Sequence, residues 1–174
     1  LSWKLTQITQ VIDVVIVGNS YLASFFPPDK TVTIPTAIAP PLHPIESTVH
    51  SPPIVGWSGL ASNLPYLVAL EPALMQLHCC TPFVLRILCE AGTSNPFPHA
   101  PFPVEMRAWS ESNEQEEIAQ FSVGIMPLPD TPWARGKCGF KALQYMSLGV
   151  PAVISPIGAN KEILVHGRSG FFGA

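Results

Sequence analysis

The sequence is short of charge. Of its 174 residues only 12% are Asp, Glu, Lys or Arg, the formal net charge is -3, and no basic run occurs. Nucleic-acid binding needs a patch of Lys and Arg to neutralise phosphates, so it is excluded as an expectation. Long apolar runs are lacking too. The longest candidate, Leu64 to Leu77, is interrupted by Pro65, Glu71 and Pro72, whereas a bilayer-spanning helix needs roughly 18 uninterrupted apolar residues. No basic segment followed by an apolar run opens the chain, so no signal peptide is visible. The cysteines, Cys79, Cys80, Cys89 and Cys138, form no C-x-x-C pair. That fits neither a disulfide framework nor a zinc site, and they read as reduced, partly buried thiols of a cytoplasmic protein. No cluster of Asp, Glu or His has metal-ligand spacing, and no Ser-His-Asp or Cys-His set can be argued. His43, His50, His78, His99 and His166 read as structural or exposed. No internal repeat is present. No G-x-G-x-x-G follows a strand, which argues against a dinucleotide-dependent dehydrogenase.

What the chain does have is apolar residues, at 47%, and 20 prolines. The length suits one domain with a sizeable core. Val11–Val17 (VIDVVIV) predicts a buried strand, ended by Gly18. Asn19 is a plausible N-cap for a short helix over Ser20–Phe26, stopped by Pro27 and Pro28. Thr31–Ile34 predicts a strand. Between Pro35 and Pro53 lie also Pro40, Pro41, Pro44 and Pro52, a density that predicts a linker or extended loop. Strands are then expected at Ile54–Trp57, Phe83–Leu88, Val104–Trp109, Val123–Met126 and Ala152–Ser155. Helices are expected at Asn63–His78, Ser112–Gln120 (with Ser112 and Gln115 as a capping box), Lys137–Leu148 and Asn160–His166. Strands alternating with helices predict an α/β fold, a doubly wound parallel sheet of Rossmann-like type. Ligands of such sheets sit outside the carboxyl ends of the strands, so the residues following Trp57, Trp109, Leu128 and Ser155 should face one cleft.

The run Val123 to Glu162, VGIMPLPDTPWARGKCGFKALQYMSLGVPAVISPIGANKE, resembles the C-terminal domain of glycosyltransferase family 4 (group 1), retaining enzymes of the GT-B fold. Met146, Gly149, Pro151, Val153, Gly158 and Glu162 carry the match. Upstream, Gly18-Asn-Ser-Tyr-Leu22 and Ile34-Pro-Thr36 resemble the family's segment joining its two domains. Ile54-Val-Gly-Trp-Ser-Gly59 resembles the first strand and phosphate-proximal loop of its donor-binding domain. The resemblance implies one half of a GT-B fold, with residues 1–53 as interdomain segment and Pro-rich linker and 54–174 as the nucleotide-sugar-binding domain. It also implies a preceding acceptor domain and further closing helices, so both ends are expected to be truncated. Association with a membrane would run through that other half.

The residues depart from the family at several points. The family's usual two glutamates fall on Gly136 and Gln144, neither acidic. Gln144 retains an amide for the ribose hydroxyls. Gly136 has no group for the donor sugar, and Asp130 in the preceding loop is either its substitute or a turn residue before Thr131-Pro132. The cations the family places after its first strand are missing from Ser58 to Asn63, which leaves Lys137 and Lys141, one helical turn apart, as their replacements. The alternative is that both are solvated. Gly136-Lys-Cys-Gly139 is expected to open the helix, giving bare backbone, positive dipole end and ammonium at one place for a diphosphate leaving group. Gly56 and Gly59, flanking Trp57 and Ser58, either let the backbone approach the ligand closely or mark only a tight turn. Trp109 and Trp133 are either packing residues or, for Trp109, a neighbour of the nucleobase. Glu162 is either a helix-start residue or a ligand contact. Cys138 at the expected helix start would have a lowered pKa, but the family uses no nucleophile there. The acidic stretch Glu111–Glu117 reads as a solvated face.

The expected function is the donor-binding half of a retaining, hexosyltransferase-type glycosyltransferase, with a nucleotide-sugar as donor, no cofactor and no metal. Asp130 and Lys137 are the candidate catalytic groups. Gly56, Trp57, Ser58, Gly59, Trp109, Gly136, Lys137, Lys141, Gln144 and Glu162 are the candidate binding residues. The competing expectation is a non-catalytic module that keeps the fold for packing against a partner.

Overall fold

The computed structural model describes residues 2–39, 41 and 49–173. Its first elements are α1 (Ser2–Val11), β1 (Val15–Val17), α2 (Ser20–Ala23) and β2 (Thr31–Thr33). β1 and β2 pair in parallel as a two-stranded sheet of their own, Ile16 opposite Val32. The strand expected over Val11–Val17 is therefore corrected. Val11 closes a helix that the sequence reading did not assign, and the β-branched run extends only from Val15. Asn19 caps α2 as expected, its Oδ1 accepting from Leu22 N–H at 2.8 Å. Within the expected linker, Pro40, His43 and Pro44 lie outside the described residues.

The remaining strands are β3 (Ile54–Ser58), β4 (Val84–Cys89), β5 (Val104–Ala108), β6 (Val123–Met126), β7 (Ala152–Ile154) and β8 (Phe171–Phe172). They form one parallel sheet in the order β5-β4-β3-β6-β7-β8. Counted from β3 this is the 3-2-1-4-5-6 order of the dinucleotide-binding sheets. β8 is an addition to the sequence reading. Between the strands lie α3 (Leu64–Val68), α4 (Glu71–Cys80), α5 (Glu114–Ala119), α6 (Pro132–Arg135), α7 (Phe140–Ser147) and α8 (Asn160–Ile163).

Three helices differ from the apolar periodicity in ways that local chemistry explains. The helix expected over Asn63–His78 is two, because Pro65 and Pro72 each occupy a first-turn position. Proline there lacks the N–H that a continuing ladder requires, so the chain restarts rather than runs through. The capping box expected from Ser112 and Gln115 does not form. Ser110 and Asn113 take that part instead: Ser110 N–H donates to Asn113 Oδ1 at 2.9 Å and Asn113 N–H to Ser110 Oγ at 3.3 Å. α7 begins at Phe140 rather than Lys137, because Gly139 has a left-handed backbone (φ 67°) that interrupts the helix before it.

Apolar side chains cover both faces of the sheet. Leu67, Leu74, Phe83, Phe97 and Phe102 pack on one, and Ile118, Phe121, Ala142, Tyr145 and Leu164 on the other. The second face depends on two glycines that lie side by side in register, Gly56 on β3 and Gly124 on β6. A Cβ on Gly56 would stand 2.0 Å from the Phe121 ring, and one on Gly124 2.5 Å from the Tyr145 ring. The bare backbone lets the two aromatics, with ring centroids 6.1 Å apart, sit directly on the strands.

Candidate functional site

From β3 the chain winds outward to β4 and β5, then returns to β6 and winds the other way. The carboxyl ends of β3 and β6 thus flank the point where the winding reverses, and a crevice opens there. It holds a pocket of about 300 Å³ lined by Trp57, Asn63, Met126, Pro127, Leu128 and the segment Lys137 to Lys141. A second pocket, of about 190 Å³, adjoins it. Phe140 and Lys141 line both, and Ser58, Gly59, Leu60, Glu90, Trp109, Glu114 and Gln144 complete the second. The ends of β3, β5 and β6 and the start of α7 therefore do meet at one cleft, whereas Ser155 and the residues after it line neither pocket.

Two ammonium groups face the first pocket. Lys137 Nζ donates to Asn63 Oδ1 at 3.1 Å and lies 5.4 Å from the Tyr66 ring centroid. Lys141 Nζ lies 5.9 Å from the centroid of Trp57, which is itself only 2% exposed. Desolvation lowers the pKa of both lysines. For Lys141 the charge of Lys137 lowers it further, against a smaller opposing pull from Glu114. Among the described residues no carboxylate lies within ion-pair distance of either. Paired, partly desolvated cations without a counter-charge favour an anion between them. The start of α7 adds its free N–H groups, since Gly139 provides no side-chain cap.

The loop carrying Lys137 is fixed from behind. Asn19 is 1% exposed, and its Nδ2 donates to the carbonyls of Arg135 (3.3 Å) and Lys137 (3.1 Å). Gly18 lies so close to Cys138 that a Cβ would meet Sγ at 2.3 Å. Gly139 packs on Ile163, and Gly158 (φ 53°) on the backbone of Arg135. The Gly18-Asn19 segment and the α8 turn thus clamp residues 135–139 from two sides. At the other flank the hydroxyl of Tyr145 accepts from Ser58 N–H at 3.2 Å and donates to Ile125 O at 3.4 Å, tying the ends of β3 and β6 to α7. Burial raises its pKa strongly, so it remains a neutral phenol.

The sequence-predicted residues distribute as follows. Trp57, Lys137 and Lys141 line the first pocket; Ser58, Gly59, Trp109, Lys141 and Gln144 line the second. Lys137 and Lys141 share the cleft but not one helix face, because Lys137 precedes α7. For the same reason Cys138 is not a helix-start thiol; Asn19 Nδ2 lies 3.8 Å from its Sγ. Gly56 sits within β3 under Phe121, so its bareness serves the core and not a ligand. Gly136 faces Leu22 and lines a further apolar cavity of about 460 Å³ with Leu5, Tyr21, Phe25, Phe26, Pro132 and Trp133, which shares Lys137 with the first pocket. Asp130 is outside both cleft pockets and exposed, and Arg135 holds it with two hydrogen bonds at 2.6 and 3.0 Å. That guanidinium keeps its carboxyl below the usual carboxylate range. Glu162 accepts from Ser20 Oγ, joining α8 to the α2 segment.

Asn63, Glu114, Tyr145 and the cross-links of Asn19 also shape the cleft and are not among the sequence-predicted residues. Asn63 stands where the loop after β3 enters a helix, a position the sequence marks. Glu114 follows Trp109 in an acidic stretch that reads as solvated until the indole Nε1 donates to its Oε1 at 2.9 Å. Among the described residues no group of three or more His, Cys, Asp or Glu gathers to hold a metal, and no helix is long and apolar enough to cross a membrane.

No protein-family model matches the sequence, and no curated protein matches it. Solved structures do match the fold. The lipopolysaccharide outer core galactosyltransferase WaaB, in its apo form, superposes on 93% of this chain with a TM-score of 0.65 at 11% identity. Anabaena HepE in complex with UDP and glucose superposes on 99% with a TM-score of 0.67 at 15% identity. HepE in complex with UDP-glucose gives 99%, 0.66 and 15%. The chain spans about half of these proteins: 48% of WaaB, and 53% and 54% of the two HepE chains. It has the parallel, Rossmann-like α/β fold found in GT-B glycosyltransferases such as WaaB.

Proposed function

We propose that this chain is the donor-binding half of a glycosyltransferase, with the diphosphate of a nucleotide-sugar held between Lys137 and Lys141. The observation that carries this reading is the pair of uncompensated ammonium groups in the crevice where the sheet reverses its winding. The pockets divide accordingly. The first takes the diphosphate and the start of the sugar, and the second, beside Trp109 and Gln144, takes the nucleoside. In the transfer step the acceptor oxygen bonds to the anomeric carbon as that carbon's bond to the diphosphate oxygen breaks. The acceptor's proton leaves with the diphosphate. The two lysines, the bare N–H groups at the start of α7 and the backbone of Gly59 stabilise the charge that develops on the leaving group. These cations supply the charge neutralisation, so the step is proposed to proceed without a metal ion.

The finer assignment follows the sequence resemblance: a group 1, family 4 enzyme that transfers a hexosyl group with retained configuration in the cytoplasm. A preceding domain would bind the acceptor and carry any contact with a membrane. The exposed apolar side chains of Ile16 and Val32 on the small β1–β2 sheet are the kind of surface such a domain would cover. Asp130 would need to leave Arg135 to reach the sugar, so it is the weaker of the two candidate catalytic groups and Lys137 the stronger. Glu162 is proposed to act on the cleft through the α2–α8 contact.

A second reading, a non-catalytic module, draws on Gly136. It faces Leu22 instead of the cleft and offers no sugar contact. Calorimetric titration with UDP, GDP and ADP and their sugar conjugates, in chelator-treated buffer, separates the two. Saturable binding of one diphosphate, weakened by Lys137→Ala, supports the donor site. A folded chain that binds none of them supports the module.

A further inference from the structure

The apolar cavity of about 460 Å³ beside Gly136 continues the line of spaces that begins in the cleft. The nucleoside pocket meets the diphosphate pocket at Phe140 and Lys141, and the apolar cavity meets it at Lys137. The two junctions thus fall at the two lysines proposed to bracket the diphosphate. The apolar cavity in turn shares Leu5, Phe25 and Phe26 with a hollow of about 440 Å³ that extends past Thr9, Ser24 and Pro27. Together they form a trough lined by α1, by α2 with the turn after it, and by α6, and it reaches the cleft at Lys137.

The walls of the trough nearer the cleft are apolar. Apart from Gly136 and Lys137, every residue lining that part is aliphatic or aromatic. Tyr21 and Phe25 meet edge to face with ring centroids 5.1 Å apart. Trp133 is 75% exposed and Phe25 48%. Exposed aromatic side chains around a concave space of this size are what an apolar ligand covers. The hydroxyls of a sugar would lose water there for few hydrogen bonds in exchange. The shape adds a second constraint. Tyr21, Leu22 and α6 belong only to the end at the cleft, whereas Thr9, Ser24 and Pro27 belong only to the far end. The space is therefore long rather than round, and it fits a chain better than a compact ring.

We infer that the trough holds the apolar chain of the acceptor, an extended-chain alcohol whose hydroxyl reaches the cleft at Lys137. The inference rests on the proposed donor site: with the nucleoside at the Lys141 end and the diphosphate between the lysines, the acceptor enters from the Lys137 end. In the transfer its hydroxyl oxygen bonds to the anomeric carbon, the diphosphate oxygen leaves with the electron pair of the broken bond, and the hydroxyl proton goes with the diphosphate. This half of the enzyme thereby takes part in choosing the acceptor, together with the preceding domain.

The test titrates geraniol, an alcohol with an extended apolar chain, into the wild-type chain, Phe25→Ser and Trp133→Phe, with and without the tightest binder among UDP, GDP and ADP. Both side chains are exposed, and thermal unfolding checks that the variants are folded. Geraniol is expected to bind saturably by calorimetry and to shift tryptophan emission to the blue as the Trp133 indole is covered. Phe25→Ser removes a wall common to both parts of the trough and should weaken binding roughly fivefold or more. Trp133→Phe should lose the emission shift. Geraniol and the diphosphate should bind together, because they occupy adjoining spaces. Failure of geraniol to bind the folded wild type overturns the inference and marks the trough as a bed for protein side chains. Affinity unchanged in Phe25→Ser, an emission shift that persists in Trp133→Phe, displacement of geraniol by the diphosphate, or tighter binding of 2-naphthol, a compact ring alcohol, each overturns it too. All of these leave the donor site standing. Failure of UDP, GDP and ADP alike to bind the folded wild type overturns the donor site and, with it, the acceptor role of the trough.

Discussion

Replacing Lys141 by Met removes an ammonium and keeps most of the stem that crosses Trp57. In the free chain that ammonium is partly desolvated and faces Lys137, and both effects hold its pKa below the ordinary 10.5. The unfolded chain therefore binds more protons than the folded one between the depressed value and 10.5, so folding is penalised below that window and relieved as pH rises through it. At neutral pH the variant is expected to be at least as stable as the wild type. With a diphosphate in the pocket the sign reverses. Unit charges about 4 Å apart attract by about 4 kcal/mol at an effective dielectric of about 20. After desolvation a charge-assisted contact of this kind is worth about 1.5–3 kcal/mol. The variant should thus bind the diphosphate roughly tenfold to a hundredfold more weakly. Calorimetric titration and thermal unfolding on the same preparations check both halves. Unchanged affinity, or weaker binding that accompanies a matching loss of stability, would refute the reasoning, because either outcome means that Lys141 serves the fold and not an anion.

The same lysine sets a pH dependence. Above about pH 7, where the terminal phosphate is ionised, wild-type affinity is expected to fall as pH rises through the depressed Lys141 pKa, and Lys141→Met should show a flatter profile in titrations across that range. Asn19→Asp keeps an acceptor for the α2 cap but turns a carboxylate toward the carbonyls of Arg135 and Lys137. It should cost about 2 kcal/mol or more in denaturant unfolding and weaken diphosphate binding through the displaced Lys137. Gly56→Ala would put a methyl 2.0 Å from the Phe121 ring, and overpacking of about 1–3 kcal/mol should appear as a lower unfolding midpoint. Tyr145→Phe leaves Ser58 N–H and Ile125 O without their shared hydroxyl. It should destabilise by about 1–3 kcal/mol in the same assay, with the protein still folded.

Local signals carried much of the fold. Val55, Ile87, Ile125 and Ile154 lie in short apolar runs with turn residues at their ends, and such runs in alternation with amphipathic stretches become parallel strands and crossovers whatever the fine packing. Hence the α/β class, the positions of β3, β4, β6 and β7, the Asn19 cap and the cleft at the strand ends were all legible. So was the convergence of Lys137 and Lys141, which line one pocket although they do not share a helix face. The boundaries that failed did so where one residue's backbone outweighed the periodicity around it: Pro72 dividing a helix, and Gly139 postponing another.

What the sequence by itself determined was the alternation of strands with helices and the residue types available to the crevice, because hydrophobic period, proline and glycine act over a few neighbours. Which of those residues meet was decided only by the tertiary structure. Gly56 looks like a phosphate-loop glycine until Phe121, far along the chain, covers it. Gly136 looks like bare backbone opening a helix toward a diphosphate until the structure sets it against Leu22, ahead of α7. Glu114 looks solvated until β5 and α7 bring Trp109 and Gln144 to the same cavity. Each depends on a contact between segments distant in the chain, and the direction in which a side chain points across such a contact has no signature in the residues next to it.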